Sequence, residues 1–244
     1  MQFSFGAGAI FGVRTDVANA TPIQLGILQD IGIEFSGDMK ELYGTSQFAV
    51  AVARGKTKIT GKAKFAKLNG AAFNSLYFGQ TLATGQTLAA AGEAGTVPAI
   101  TPWKITVANG ATWVADLGVV YAATGIPLTL VASGPTVGQY SVAAGGQYTF
   151  ATADASALVQ ISYTYTVTTG TTISIGNPLM GAVPTWRAAF TSTFNAKSIT
   201  LVLNACVSSK LSLPTKQDDW VINELDFQAL ADASGNVGLL SLAE

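Results

Sequence analysis

The sequence predicts a mainly β protein with a single helix. Three observations carry this. Apolar and polar residues alternate over long stretches, the signature of half-buried strands. Turn signals such as Asn109-Gly110 and Ser133-Gly134-Pro135 recur at short intervals. Helical spacing is convincing in one place only, between Phe65 and Phe78.

Residues 1–24 are rich in Gly and Ala and read as an extended arm or loop. From Leu25 to Phe35, Leu25, Ile27, Gln29, Ile31, Ile33 and Phe35 alternate with positions that include Asp30, Gly32 and Glu34, which predicts a strand. Ser36-Gly37-Asp38 reads as a turn, and Lys40 to Gly44 as a short connection. An extended segment runs from Gln47 to Phe65. Arg54, Lys56, Lys58, Lys62 and Lys64 fall on its even positions, so five of the thirteen basic residues are expected on one face. Phe65, Leu68, Ala72, Phe73, Leu76 and Tyr77 then recur at helical spacing, and Gly79 supplies the stop.

Residues 80–98 are small and polar and read as a loop or linker. Short strand patterns follow, from Trp103 to Val107 through Leu158 to Val167. They predict an inserted β-sandwich-like module over residues 99–169, in which Lys104, Asp116 and Asp154 are the only charges. Strand patterns resume at Thr171 and lead to Trp186 to Phe194, then Ile199 to Val207 (with Ile199, Leu201, Leu203, Ala205 and Val207 on one face) and Trp220 to Ala231. The core is therefore expected to be discontinuous, formed by residues 1–98 and 170–244.

Composition narrows the function. Charged residues are 11% of the 244, against the ~25% of an ordinary soluble domain, and the net charge is −1. A lone monomer with such a surface is sticky, and burial in an assembly resolves this. No apolar run approaches the ~20 residues of a membrane-spanning helix, so no membrane anchor is expected. There is no histidine, which removes the commonest general base and metal ligand. Cys206, the one cysteine, lies in an apolar strand pattern and reads as core. The N-terminus does not have the form of a signal peptide, which fits assembly in a bacterial cytoplasm.

Candidate chemistry is sparse. Asp218 and Asp219 are neighbours and point to opposite faces of a strand; Glu224 and Asp226 share one, but have no histidine or third acid beside them. No GxSxG elbow or phosphate loop occurs. No enzyme activity and no cofactor are expected. The basic stripe invites a nucleic-acid reading, since clustered cations release counterions from phosphate. However, no aromatic residue is interleaved and the chain is not basic overall. The better reading pairs the stripe with acids of neighbouring strands or of an adjacent subunit. Asp30, Glu34, Asp38 and Glu41 are the nearest in sequence.

The strings KELYG (Lys40 to Gly44), VARGKTKITGKAKF (Val52 to Phe65) and FNSLYFG (Phe73 to Gly79) resemble tail tube proteins of long-tailed bacteriophages. The likeness returns in WVINELDFQALADASGNVG, from Trp220 to Gly238. It implies a β-barrel or β-sandwich subunit with one α-helix. It also implies a homo-oligomer of stacked hexameric rings, other tail proteins as partners, genomic DNA passing through the lumen, and a place in the virion tail. The rival expectation is a virion-surface or secreted carbohydrate-binding protein, with Trp103, Trp113, Tyr121, Tyr140 and Tyr148 as candidate stacking residues.

Overall fold

The computed structural model describes residues 6–67 and 69–243, and the chain is mainly β with one helix. The first strands are β1 (Ala9–Arg14), β2 (Ile23–Leu25), β3 (Leu28–Tyr43) and β4 (Ala49–Phe65). Helix α1 (Gly70–Phe73) follows and runs on as a π-helical turn, Asn74–Phe78. Then come β5 (Leu82–Thr96), β6 (Lys104–Thr106), β7 (Trp113–Tyr121), β8 (Thr129–Leu130), β9 (Gln139–Ala143), β10 (Gln147–Phe150) and β11 (Leu158–Ile173). The chain ends with β12 (Thr185–Phe194), β13 (Lys197–Ser212), β14 (Asn223–Leu230) and β15 (Gly238–Leu242). Two compact units result. One holds the residues up to Leu82 and from Ile173 onward; the other holds Ala83–Thr172.

The first unit is one large antiparallel sheet, in the order β2-β1-β12-β13-β14-β4-β3, with β15 also on β13. Its buried face packs Ile10, Phe65, Phe73, Leu76, Trp186, Leu203, Leu225 and Phe227 into one cluster. The residue 1–24 segment is thus not a plain arm: β1 pairs with β12 and β2 with β1, and Ile10 is fully buried. The helix is also shorter than its spacing suggests. Phe65 is still strand, paired with Leu28 and Asn223, and the Asn69 side chain caps the helix by accepting from Ala71 and Ala72 N–H. Leu68 lies outside the described residues. Gly79 ends the helix as expected, in the left-handed conformation at φ 66°.

A bulge between Trp186 and Ala188 changes the parity of β13. Leu203 faces Ala188, but Cys206 faces Trp186, so Cys206 takes the core position that simple alternation assigns to Ala205. Burial pushes its thiol up to about 12, which makes it an inert core residue.

The second unit is built from a three-stranded sheet, β5-β11-β7, and a four-stranded one, β6-β10-β9-β8, around a separate core that includes Val119, Tyr148, Phe150, Ile161 and Tyr163. Residues 80–98 are not a linker: most of them form the 15-residue strand β5, and the unit begins at Ala83. Their Ala, Gly and Thr carry little strand signal, and pairing with β11 decides the matter.

Each acid of this unit is clamped by tyrosine. Tyr163 donates to Glu93 at 2.5 Å, Tyr121 to Asp154 at 2.6 Å, and Tyr140 and Tyr148 to Asp116 at 2.5 and 2.9 Å. Burial first, and hydrogen bonding to the carboxylate next, raise the pKa values of Tyr121, Tyr140 and Tyr163; for Tyr148 too burial leads, with Asp116 raising and Trp113 lowering. The folded state therefore holds these phenols protonated. Its advantage is complete below the unfolded value of about 10 and falls as pH rises toward the folded values. The second unit should accordingly unfold in alkali above pH ~10, with the rise in tyrosinate absorbance coinciding with loss of its near-ultraviolet circular dichroism. Tyrosinate formation without unfolding would contradict this.

Candidate assembly interface

The most unusual part of the first unit is the β3–β4 ribbon. The two strands stay paired from Leu28↔Phe65 to Tyr43↔Ala49, but β14 accompanies β4 only from Phe65 to Ile59. Beyond Ile59 the ribbon has no third strand among the described residues. Ser36-Gly37-Asp38 is not a turn; β3 runs through it, and the chain reverses at residues 44–48. The turn signal loses to long-range pairing with β4.

A second bulge decides what the distal ribbon displays. Gly37 faces Thr57 and Met39 faces Arg54, so β4 spends one more residue than β3 between the two pairs. Arg54 is thereby moved to the face of Phe35, Gly37 and Ile59. A Cβ built on Gly37 would stand 2.9 Å from Thr57 Cγ2 and 3.4 Å from Arg54 Cδ, confirming the shared side. The five basic residues therefore do not share one face: Lys58, Lys62 and Lys64 keep the outer one, and Arg54 leaves it. Gly55, inside a strand pattern, is the signal in the sequence that could have revealed this.

On the outer face the charges are met, partly by residues the sequence spacing did not suggest. Lys64 Nζ lies 3.4 Å from Asp30, a partner expected from the sequence. Lys62 instead reaches Glu224 at 2.9 Å, and Lys210 meets the same oxygen at 2.6 Å. The hydrogen bond from Lys210, then that from Lys62, lowers the Glu224 pKa. Asp226 lies opposite Lys62 in register, with one carboxylate oxygen buried and unpaired. Glu34 faces Thr60; Glu41 lies on the opposite face, with Met39, and accepts from Tyr43 instead of a base. Asp38 falls in the bulge, beside Lys56 and Lys58 along a groove. Among the described residues, no ion pair includes Arg54, Lys56 or Lys58.

Exposed cross-strand pairs contribute about 0.2–1 kcal/mol each. Reversing Lys62 to Glu should therefore lower the stability of the first unit by about 1 kcal/mol, and adding Glu224→Lys should recover part of it. Chemical denaturation of the single and double variants checks this; no recovery in the double variant would contradict the pairing.

The other face of the distal ribbon is apolar. Phe35 is 60% exposed and Met39 59%, and Val50 and Val52 are also exposed. These residues extend the row of Ile31 and Ile33, which packs against the core. A 400 Å³ groove lies here, walled by Phe35, Met39 and Ile59 and edged by Arg54. Phe48 at the reversal, Leu179 and Met180 after β11, and Trp220 before β14 are exposed as well. The aromatic residues that a sugar site would use point elsewhere: Tyr140 and Tyr148 are buried, and Trp103, Trp113 and Tyr121 are half-buried against the second core.

Compared with known proteins, the sequence matches no family model and no curated protein. The function must therefore be argued from this surface. No helix among the described residues is long and apolar enough to cross a membrane, and no cluster of three or more acids or cysteines there is placed to hold a metal ion.

Proposed function

We propose that this chain is a structural subunit of a phage tail tube, which closes into six-membered rings that stack around a channel for genomic DNA. The observation that carries the reading is the unaccompanied half of the β3–β4 ribbon. A two-stranded ribbon is marginal in water by itself. This one also presents an open edge and a row of apolar side chains that continues the core face. A second copy of the chain answers all three needs at once, and a head-to-tail contact repeated around an axis closes a ring. The charge-poor composition and the family-like strings support the same reading, with a site of action in the virion tail and other tail proteins as further partners. The work of such a protein is mechanical, so it needs no catalytic centre and no cofactor.

Sedimentation velocity over a concentration series tests self-association. At micromolar protein, species far heavier than the 25.1 kDa monomer should dominate. A single monomeric species at every concentration would refute the proposal.

A further inference from the structure

We propose that the Asp218-Asp219-Trp220 segment of one copy docks into the groove on the distal ribbon of the next copy. This rests on the self-assembly reading above and names the two surfaces that meet.

Trp220 is 83% exposed in the connection between β13 and β14. An indole is rarely spent on solvent, and tryptophan is enriched among the residues that dominate interfaces. Two carboxylates precede it. Asp219 accepts from Lys216 Nζ and from the Trp220 N–H, both at 2.7 Å, which orders the approach to the ring.

The groove has the complementary chemistry. Phe35, Met39 and Ile59 supply apolar walls, Gly37 leaves room by lacking a side chain, and Arg54 stands at the edge without a carboxylate partner among the described residues. An indole fits between the walls with the Arg54 guanidinium over its face, a favourable cation–π arrangement. Asp218 and Asp219 then meet the same guanidinium, which contributes chiefly to the choice of partner and to register.

The fold keeps the two surfaces apart in one copy. Asn223, just after the segment, pairs with Phe65, whereas the groove lies around Thr57 on the same strand. Eight residues of extended chain separate those positions by about 26 Å. A copy therefore does not fill its own groove. The donor lies beyond the Phe65 end of β4 and the acceptor near its middle, two different surfaces, so the contact is head-to-tail and propagates from copy to copy.

The test uses the full chain in three forms: Trp220→Ala, the pair Asp218→Lys with Asp219→Lys, and Arg54→Glu. All changes lie at exposed positions, and circular dichroism and thermal melting verify that each form is folded. Each should raise the concentration needed for assembly at least tenfold in sedimentation velocity. Combining Asp218→Lys and Asp219→Lys with Arg54→Glu in one chain should restore assembly toward the parent level. Parent-like assembly of Trp220→Ala and of Asp218→Lys/Asp219→Lys would overturn this docking and leave the self-assembly reading intact. Failure of the combined chain to recover, with each charge-reversed form alone defective, would also overturn it. A parent protein that never associates would overturn both.

Discussion

Trp186→Ala should be the most damaging single substitution in the first unit, costing about 3–5 kcal/mol. Trp186 is fully buried between β1 and β13, and its ring meets Phe227 edge-on at 5.1 Å between centroids. Its indole N–H donates to Ser208 Oγ at 3.0 Å, so truncation leaves both a cavity and an unpaired hydroxyl. For a unit of this size each kcal/mol shifts the melting temperature by roughly 2–4 °C, so a fall of about 6–20 °C is expected. Calorimetry in an assembly-deficient background isolates the effect from subunit contacts. A loss below about 1 kcal/mol would mean that the core is not centred where the sheet places it.

The second large effect is on association and not on folding. Met39→Asp, or Phe35→Asp, puts a carboxylate on the apolar face of the distal ribbon. Both side chains are exposed in the isolated chain, so thermal melting of the monomer should move little. In an assembly a carboxylate at residue 35 would be buried without a partner, a cost of several kcal/mol per contact that repeats at every subunit, and one at residue 39 would take up Arg54, which it faces across the strands. Association should therefore be lost at concentrations where the parent is fully assembled. Size-exclusion chromatography with light scattering reads this directly. Assembly that survives both substitutions would remove the ribbon face from the interface.

Much of the fold is legible in the residues because its signals are local. The alternation from Ile31 to Phe35, the glycine stop at Gly79 and the turn at Ala144 to Gly146 keep their predicted roles, whereas the strand expected from Leu25 is broken at Ile27, which takes a left-handed φ of 53° between β2 and β3. What escapes is long-range. The strand over Leu82–Thr96 has only Leu82 and Leu88 as large apolar residues, and its identity depends on β11, some seventy residues away. β15 escapes for a similar reason: Leu239, Leu240 and Leu242 show no clean alternation, and β13 recruits them. Bulges do the rest. One extra residue near Gly55 changes the face of Arg54, and the irregularity after Trp186 exchanges Ala205 for Cys206.

The same contrast holds at the candidate interface. The pairing of Lys64 with Asp30 follows from strands adjacent in sequence. The pairing of Lys62 and Lys210 with Glu224 requires β14 to lie between β4 and β13, an arrangement set by sheet order. Phe35 and Met39 are readable as apolar residues. Their exposure follows only from the ribbon outrunning its neighbour β14, which no local pattern reveals.

The central claim is that this chain functions by assembling. Negative-stain electron microscopy of the purified protein, at concentrations above those where sedimentation shows association, tests it most directly. The account predicts six-fold rings with an open centre, stacked into tubes of constant width. A field of separate particles of monomer size would contradict it.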